Sequence, residues 1–134
     1  MKLFLGKRYL KISDLIALNP GENLLDVGCG PGFMLELMTK KYSHHEMLGL
    51  DVDPKILAIA RKKLPEAVAL VQGSADALPF SADRFNVVTS TLMIHHLSSE
   101  QKQKMIRDVY RVLKPGGRFY LFDFAPPTTW YGKL

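Results

Sequence analysis

The chain has 134 residues, 47% of them hydrophobic, 23% charged and 10% aromatic, with a net charge of +5. That length holds one domain, 1–134, the composition excludes a disordered tail, and the modest positive balance tolerates an anionic partner without demanding nucleic acid. The single cysteine, Cys29, excludes an intramolecular disulfide and a cysteine-built zinc centre, and no apolar run nears the ~20 residues of a membrane helix.

The opening residues do not read as a secretory leader, because Gly6, Lys7 and Arg8 cut Leu3-Phe4-Leu5 short. A cytoplasmic protein with a reduced thiol is the expectation. Residues 8–18 carry Leu10, Ile12, Leu15 and Ile16 at helical spacing, and Asn19-Pro20-Gly21 stops that helix. Asn23 to Val27 reads as a buried first strand, followed by a glycine loop from Gly28 to Gly32. Phe33 to Lys41 is helical, with Met34, Leu35, Leu37 and Met38 apolar and Lys40-Lys41 suiting its C-terminal end. Met47 to Asp51 makes a second strand. Asp53-Pro54 then opens a helix that Pro65 ends, the acid as N-cap and the proline at the first helical position.

Ala67 to Gln72 reads as a third strand, Gly73 to Asp83 as a long loop, and Phe85 to Ser90 as a fourth strand. Ser98-x-x-Gln101 has the form of a capping box, opening a helix whose stripe is Met105, Ile106, Val109, Tyr110, Val112 and Leu113. Pro115-Gly116-Gly117 turns the chain into a fifth strand, Arg118 to Phe124. Strands alternating with helices in this way predict an α/β fold, a doubly wound parallel sheet that binds its ligand at the carboxyl ends of its strands.

The run Leu24-Leu25-Asp26-Val27-Gly28-Cys29-Gly30-Pro31-Gly32 carries the most information. Glycines between a buried strand and a helix let the backbone turn sharply and approach a ligand closely. A dinucleotide cradle wants G-x-G-x-x-G, and here the third glycine comes one residue early while Phe33 fills the position that should be small. The run resembles motif I of the class I S-adenosylmethionine-dependent methyltransferases. Further matches follow in order: Gly49-Leu50-Asp51-Val52-Asp53-Pro54, Gly73-Ser74-Ala75-Asp76-Ala77-Leu78-Pro79-Phe80, Phe85-Asn86-Val87-Val88 and Arg111-Val112-Leu113-Lys114-Pro115-Gly116-Gly117. The pattern is similar to the small-molecule, type 11-like group, which includes quinone-biosynthesis methyltransferases.

The resemblance implies a Rossmann-like sheet of strand order 3-2-1-4-5 and S-adenosyl-L-methionine as cofactor. It implies that Gly28, Cys29, Gly30 and Gly32 approach that cofactor with their backbones. Asp51, 19 residues after Gly32, is the expected acceptor of both ribose hydroxyls, and Val52 packs on the adenine. Asp76 resembles the acid that takes the adenine amino group, with Ala75 and Ala77 alongside. Asp26 resembles the acid that holds the ammonium of the methionine part, and Thr91 is placed in the same binding set.

Methyl transfer from a sulfonium needs alignment and exclusion of water more than covalent help, and needs a base only when the acceptor loses a proton. Ser90-Thr91-Leu92-Met93-Ile94-His95-His96-Leu97 follows strand four and lacks the Asn/Asp-Pro-Pro-aromatic motif of enzymes acting on DNA bases and glutamine. The expected partner is therefore a small-molecule methyl acceptor rather than nucleic acid or membrane. His95, His96 and Asp123 are the candidate catalytic residues, and no metal is expected. Lys104, Arg107, Arg111 and Lys114 read as a solvated basic stripe, with Asp108 in reach of Lys104 and Arg111.

Family members normally carry two further strands beside strand five, so a chain truncated there is expected to expose an apolar edge. Such an edge templates pairing, which predicts a homodimer, or else a tail bearing Trp130 and Tyr131 folded over it. The same observation keeps a second function open, a cofactor-binding module with little activity until a partner subunit or missing segment joins it.

Overall fold

A computed structural model of the chain describes residues 2–123. Its elements in order are α1 (Lys2–Leu15), β1 (Leu24–Val27), α2 (Phe33–Lys41), β2 (Met47–Asp51), α3 (Pro54–Lys63), β3 (Ala69–Gln72), β4 (Phe85–Thr91), α4 (Ser99–Val112) and β5 (Leu113–Phe122). Among the described residues the strands form one sheet of order β3-β2-β1-β4-β5, and every neighbouring pair is parallel.

Side chains alternate across that sheet. Leu24, Met47 and Val87 pack on one face with Met34, Leu35 and Met38 of α2 and Ala60 of α3. Leu25, Val27, Leu48, Leu50, Phe85 and Val88 face the other way, against Met105, Val109 and Val112 of α4. The chain thus winds outward from β1 through β2 to β3, returns beside β1 as β4, and continues to β5. The reversal lies between β1 and β4, where doubly wound sheets open a crevice at the strand ends.

Several boundaries differ from the sequence expectation, each for a local reason. The first helix begins at Lys2 rather than residue 8. A helical glycine such as Gly6 costs about 1 kcal/mol but keeps its N–H, so it does not end a helix. That helix stops at Leu15, and Ile16 and Leu18 enter the core from the connecting segment. Leu10 and Leu15, expected on its apolar side, are exposed. The third strand starts at Ala69 because Pro65 first makes a turn, its carbonyl accepting the Val68 N–H. Strand five begins at Leu113, with a register shift opposite Asn86 that absorbs the Pro115-Gly116-Gly117 turn. Phe124, Trp130 and Tyr131 lie outside the described residues.

Helix α4 opens with the expected capping box, Ser98 and Gln101 bonding each other's backbone N–H. Its stripe is narrower than expected, since Tyr110 is 83% exposed. Arg111 departs from the solvated-face expectation. It bonds Asp108 at 2.7 Å and donates to the carbonyls of Phe80 (2.7 Å) and Leu78 (2.9 Å), while Asp108 also accepts the Leu78 N–H. Together they pin the loop between β3 and β4 to the helix. Lys104 pairs with Glu100 rather than with Asp108.

Candidate functional site

The strand ends enclose a cleft of about 510 Å³ at the crossover. Gly28, Cys29, Gly30 and Pro31 form its floor, with Leu50, Asp51, Val52 and Ile56 on the β2 side. Ser74 and Ala75 contribute from the loop after β3, and Thr91, Met93, His96 and Leu97 from the end of β4.

The glycine loop needs its glycines for two different reasons. Gly28, Gly30 and Gly32 have φ of 74°, 55° and 94°, in the left-handed region that side chains resist. At Gly28 an added Cβ would lie 2.4 Å from Met93 Cγ, so Met93 closes directly over the backbone. At Gly30 a Cβ would meet nothing within 4 Å, because it would point into the open cleft. Gly32 instead lets the loop pack against Leu64, and it does not line the cleft.

Asp51 joins the loop to the second strand. Its Oδ2 accepts the Gly30 N–H at 2.9 Å and its Oδ1 the Asp53 N–H at 3.0 Å. A carboxylate offers about four acceptor positions, so roughly two are left at the cleft surface. Val52 follows, 62% exposed, an apolar side chain beside that polar anchor. Asp53 caps α3, accepting the Lys55 N–H at 2.9 Å.

Asp26 sits beneath the loop rather than in the cleft wall. It is 2% exposed, on the sheet face covered by α1 and α2, and Thr89 Oγ1 donates to it at 2.8 Å. Burial pushes its carboxyl up to about 7, against the opposing effect of the Thr89 hydrogen bond. Burial also raises the Cys29 thiol, with Asp26 and Asp51 adding to the effect, so the thiol is inert at neutral pH. Asp76 stands next to the wall, its carboxylate taking the Ser74 hydroxyl.

At the other side β4 ends in an uncommon conformation. Leu92 has φ 56°, which costs a leucine about 1–2 kcal/mol, and its N–H donates to the Phe122 carbonyl at 2.7 Å. A single 3₁₀ turn, Ile94–His96, follows. Here the structure joins two of the candidates: Asp123 accepts the His95 backbone N–H and its Nδ1–H, both at 2.7 Å. His96 lies against His95, ring centroids 4.0 Å apart, and lines the cleft. Thr91 Oγ1 is buried without a hydrogen-bond partner among the described residues.

The structure therefore brings Gly28, Cys29, Gly30, Asp51, Val52, Ala75, Thr91 and His96 into one cleft and sets Asp26, Gly32, Asp76, His95 and Asp123 around it. It adds Tyr9, Ile56, Ser74, Met93, Leu97 and Gln101, none of which the sequence marked as a site residue. Tyr9 arrives from α1, with its ring 5.6 Å from that of Phe33, and burial raises its phenol.

Comparison with known proteins shows the family and the fold. A methyltransferase domain model matches residues 24–117. An uncharacterised methyltransferase of Synechocystis is 38% identical over 115 residues, covering 86% of this chain and 53% of that protein. A demethylmenaquinone methyltransferase of Thermotoga maritima is 34% identical over 115 residues, covering 86% of this chain and 48% of its own length. The crystal structure of an S-adenosylmethionine-dependent methyltransferase from Mesorhizobium loti superimposes with a TM-score of 0.70 at 27% identity, over 84% of this chain and 51% of that one. The chain spans about half the length of the curated relatives it matches.

Proposed function

The chain belongs to the class I S-adenosylmethionine-dependent methyltransferase family, and from that premise we propose that it binds S-adenosylmethionine in the β1–β4 cleft and transfers its methyl group to a small-molecule acceptor. The observation that carries the reading is Asp51, which ties the glycine loop to β2 and keeps about two acceptor positions, the number a ribose diol needs. The rest of the wall fits the same group. Gly30 leaves open space where a side chain would stand, and Val52 offers an apolar surface for a purine.

When bound, the cofactor supplies a methyl group on a positively charged sulfur, already activated for displacement. The protein's contribution is placement. Asp51 holds the sugar, the Gly28–Gly30 backbone lies against the body of the ligand, and Asp76 with Ala75 serves the purine end. Asp26, buried and at about 7 in isolation, becomes a fitting counter-charge once an ammonium sits above it, directly or through water. Met93, Leu97 and Tyr9 exclude water from the reacting end.

Radiolabelled methyl transfer into metabolite fractions tests the activity. Label incorporated into a low-molecular-weight fraction supports the reading; cofactor binding without transfer to any fraction would favour a binding module that acts with a partner. The outer edge of β5 is unpaired among the described residues. A second copy is its proposed cover, so light scattering should show about twice the monomer mass, and a monomer at all concentrations would contradict it.

A further inference from the structure

The two ends of the cleft are built differently. β2 and β4 flank β1 on opposite sides, so their carboxyl ends stand about 10 Å apart. Asp51 serves one end. At the other, the backbone is held away from its preferred path by the Leu92–Phe122 hydrogen bond, and Asp123 grips His95 at two atoms.

A carboxylate only accepts, so the hydrogen between it and His95 resides on Nδ1. The His95 ring is thereby turned toward β5 and out of the cleft wall, and it backs the His96 ring 4.0 Å away. His96 faces the cleft together with Thr91, whose buried hydroxyl lacks a partner among the described residues. A buried hydroxyl in that state is costly unless a ligand's polar atom meets it.

Resting on the methyltransferase reading, we infer that this end receives the acceptor's nucleophilic atom, that His96 takes its proton, that Asp123 and His95 are positioning residues for His96, and that the acceptor is a protic molecule of phenol, enol or thiol type. A neutral imidazole nitrogen accepts a proton from an acidic X–H group of this kind and not from an amide or aliphatic alcohol. In the step, the acceptor's X–H bond breaks and its proton passes to a ring nitrogen of His96. The freed electron pair forms the bond to the methyl carbon as the carbon–sulfur bond breaks, its pair remaining on sulfur. The imidazolium stands beside the His95–Asp123 pair, whose carboxylate offsets its charge. Once the product leaves, His96, exposed in the ligand-free cleft, returns the proton to solvent.

The test uses the full chain saturated with S-adenosylhomocysteine, and 4-nitrophenol as the acceptor probe, since its phenolate is coloured. About one pH unit below the probe's own pKa, binding to the wild type should raise the phenolate fraction several-fold. His96→Gln should abolish the rise and Asp123→Asn should reduce it, while calorimetry shows cofactor affinity within about threefold of wild type in both. Nitrogen NMR of labelled histidine should show His95 as the Nδ1–H tautomer in the wild type and not in Asp123→Asn. An undiminished phenolate signal in His96→Gln, a probe that does not bind, or His95 as the Nε2–H tautomer would overturn the inference and leave cofactor binding standing. A wild type that takes up no S-adenosylhomocysteine would instead remove the reading beneath it.

Discussion

Asp26 makes the stability of the ligand-free protein fall as pH rises, a sign opposite to that of ordinary paired carboxylates. Its carboxyl goes from 3.8 to about 7 on folding because burial disfavours the charged form. Between those values the folded state holds a proton that the unfolded chain has released, so the contribution is full below about pH 4 and is lost as pH climbs through 7. That change corresponds to ~4 kcal/mol. Glu22, Glu46 and Asp108 act in the opposite sense, since Arg118, Arg84 and Arg111 hold their carboxyls low. Comparison with Asp26→Asn cancels those groups, because the amide keeps an acceptor for Thr89 without the charge. Urea unfolding of both proteins from pH 4 to 8 should show wild-type stability dropping relative to the variant by about 4 kcal/mol, a midpoint change of roughly 2 M at the m-value of a small domain. S-adenosylmethionine should recover part of that loss at pH 8 in the wild type alone. A stability difference that does not change with pH would refute the reasoning, since Asp26 would then ionise without cost.

Asp51→Ala should weaken S-adenosylmethionine binding by ~1.5–4 kcal/mol, roughly ten- to a thousand-fold, and Asp76→Ala by less, because a single amino group is involved; calorimetry gives the order. Gly30→Val should abolish binding with the circular dichroism spectrum retained, since the side chain enters open cleft and resists φ near 55°; a variant that is simply unfolded would make the loop's role structural. Asp108→Ala should cost ~1–3 kcal/mol in urea unfolding, because the Leu78 N–H and Arg111 lose a shared partner.

The succession of strands and helices was readable in the sequence because it follows from local signals, and the order β3-β2-β1-β4-β5 is the one the family resemblance implied. Glycines at the end of an apolar run mark the turn, and Asp51 closes the next strand at a fixed distance along the chain. The β4 side of the cleft depends on contacts that no local pattern carries. His95 and Asp123 each drew notice as titratable residues, but their pairing spans 28 positions and exists only because β4 and β5 end side by side. Tyr9 reaches the cleft through the packing of α1 on α2, and Met93 through the left-handed Leu92, which is not a residue type that announces a turn. Arg111 misled for a related reason. Its spacing fits a solvated stripe, yet a long side chain at a helix end can reach a neighbouring loop, and the carbonyls of Leu78 and Phe80 lie within its span.

Isothermal titration of the full chain with S-adenosylmethionine, S-adenosylhomocysteine and NAD tests the central claim most directly. One molecule of either sulfur ligand should bind per chain, binding should weaken in Asp51→Ala, and NAD should give no heat. Uptake of NAD with no heat from either sulfur ligand would contradict the account.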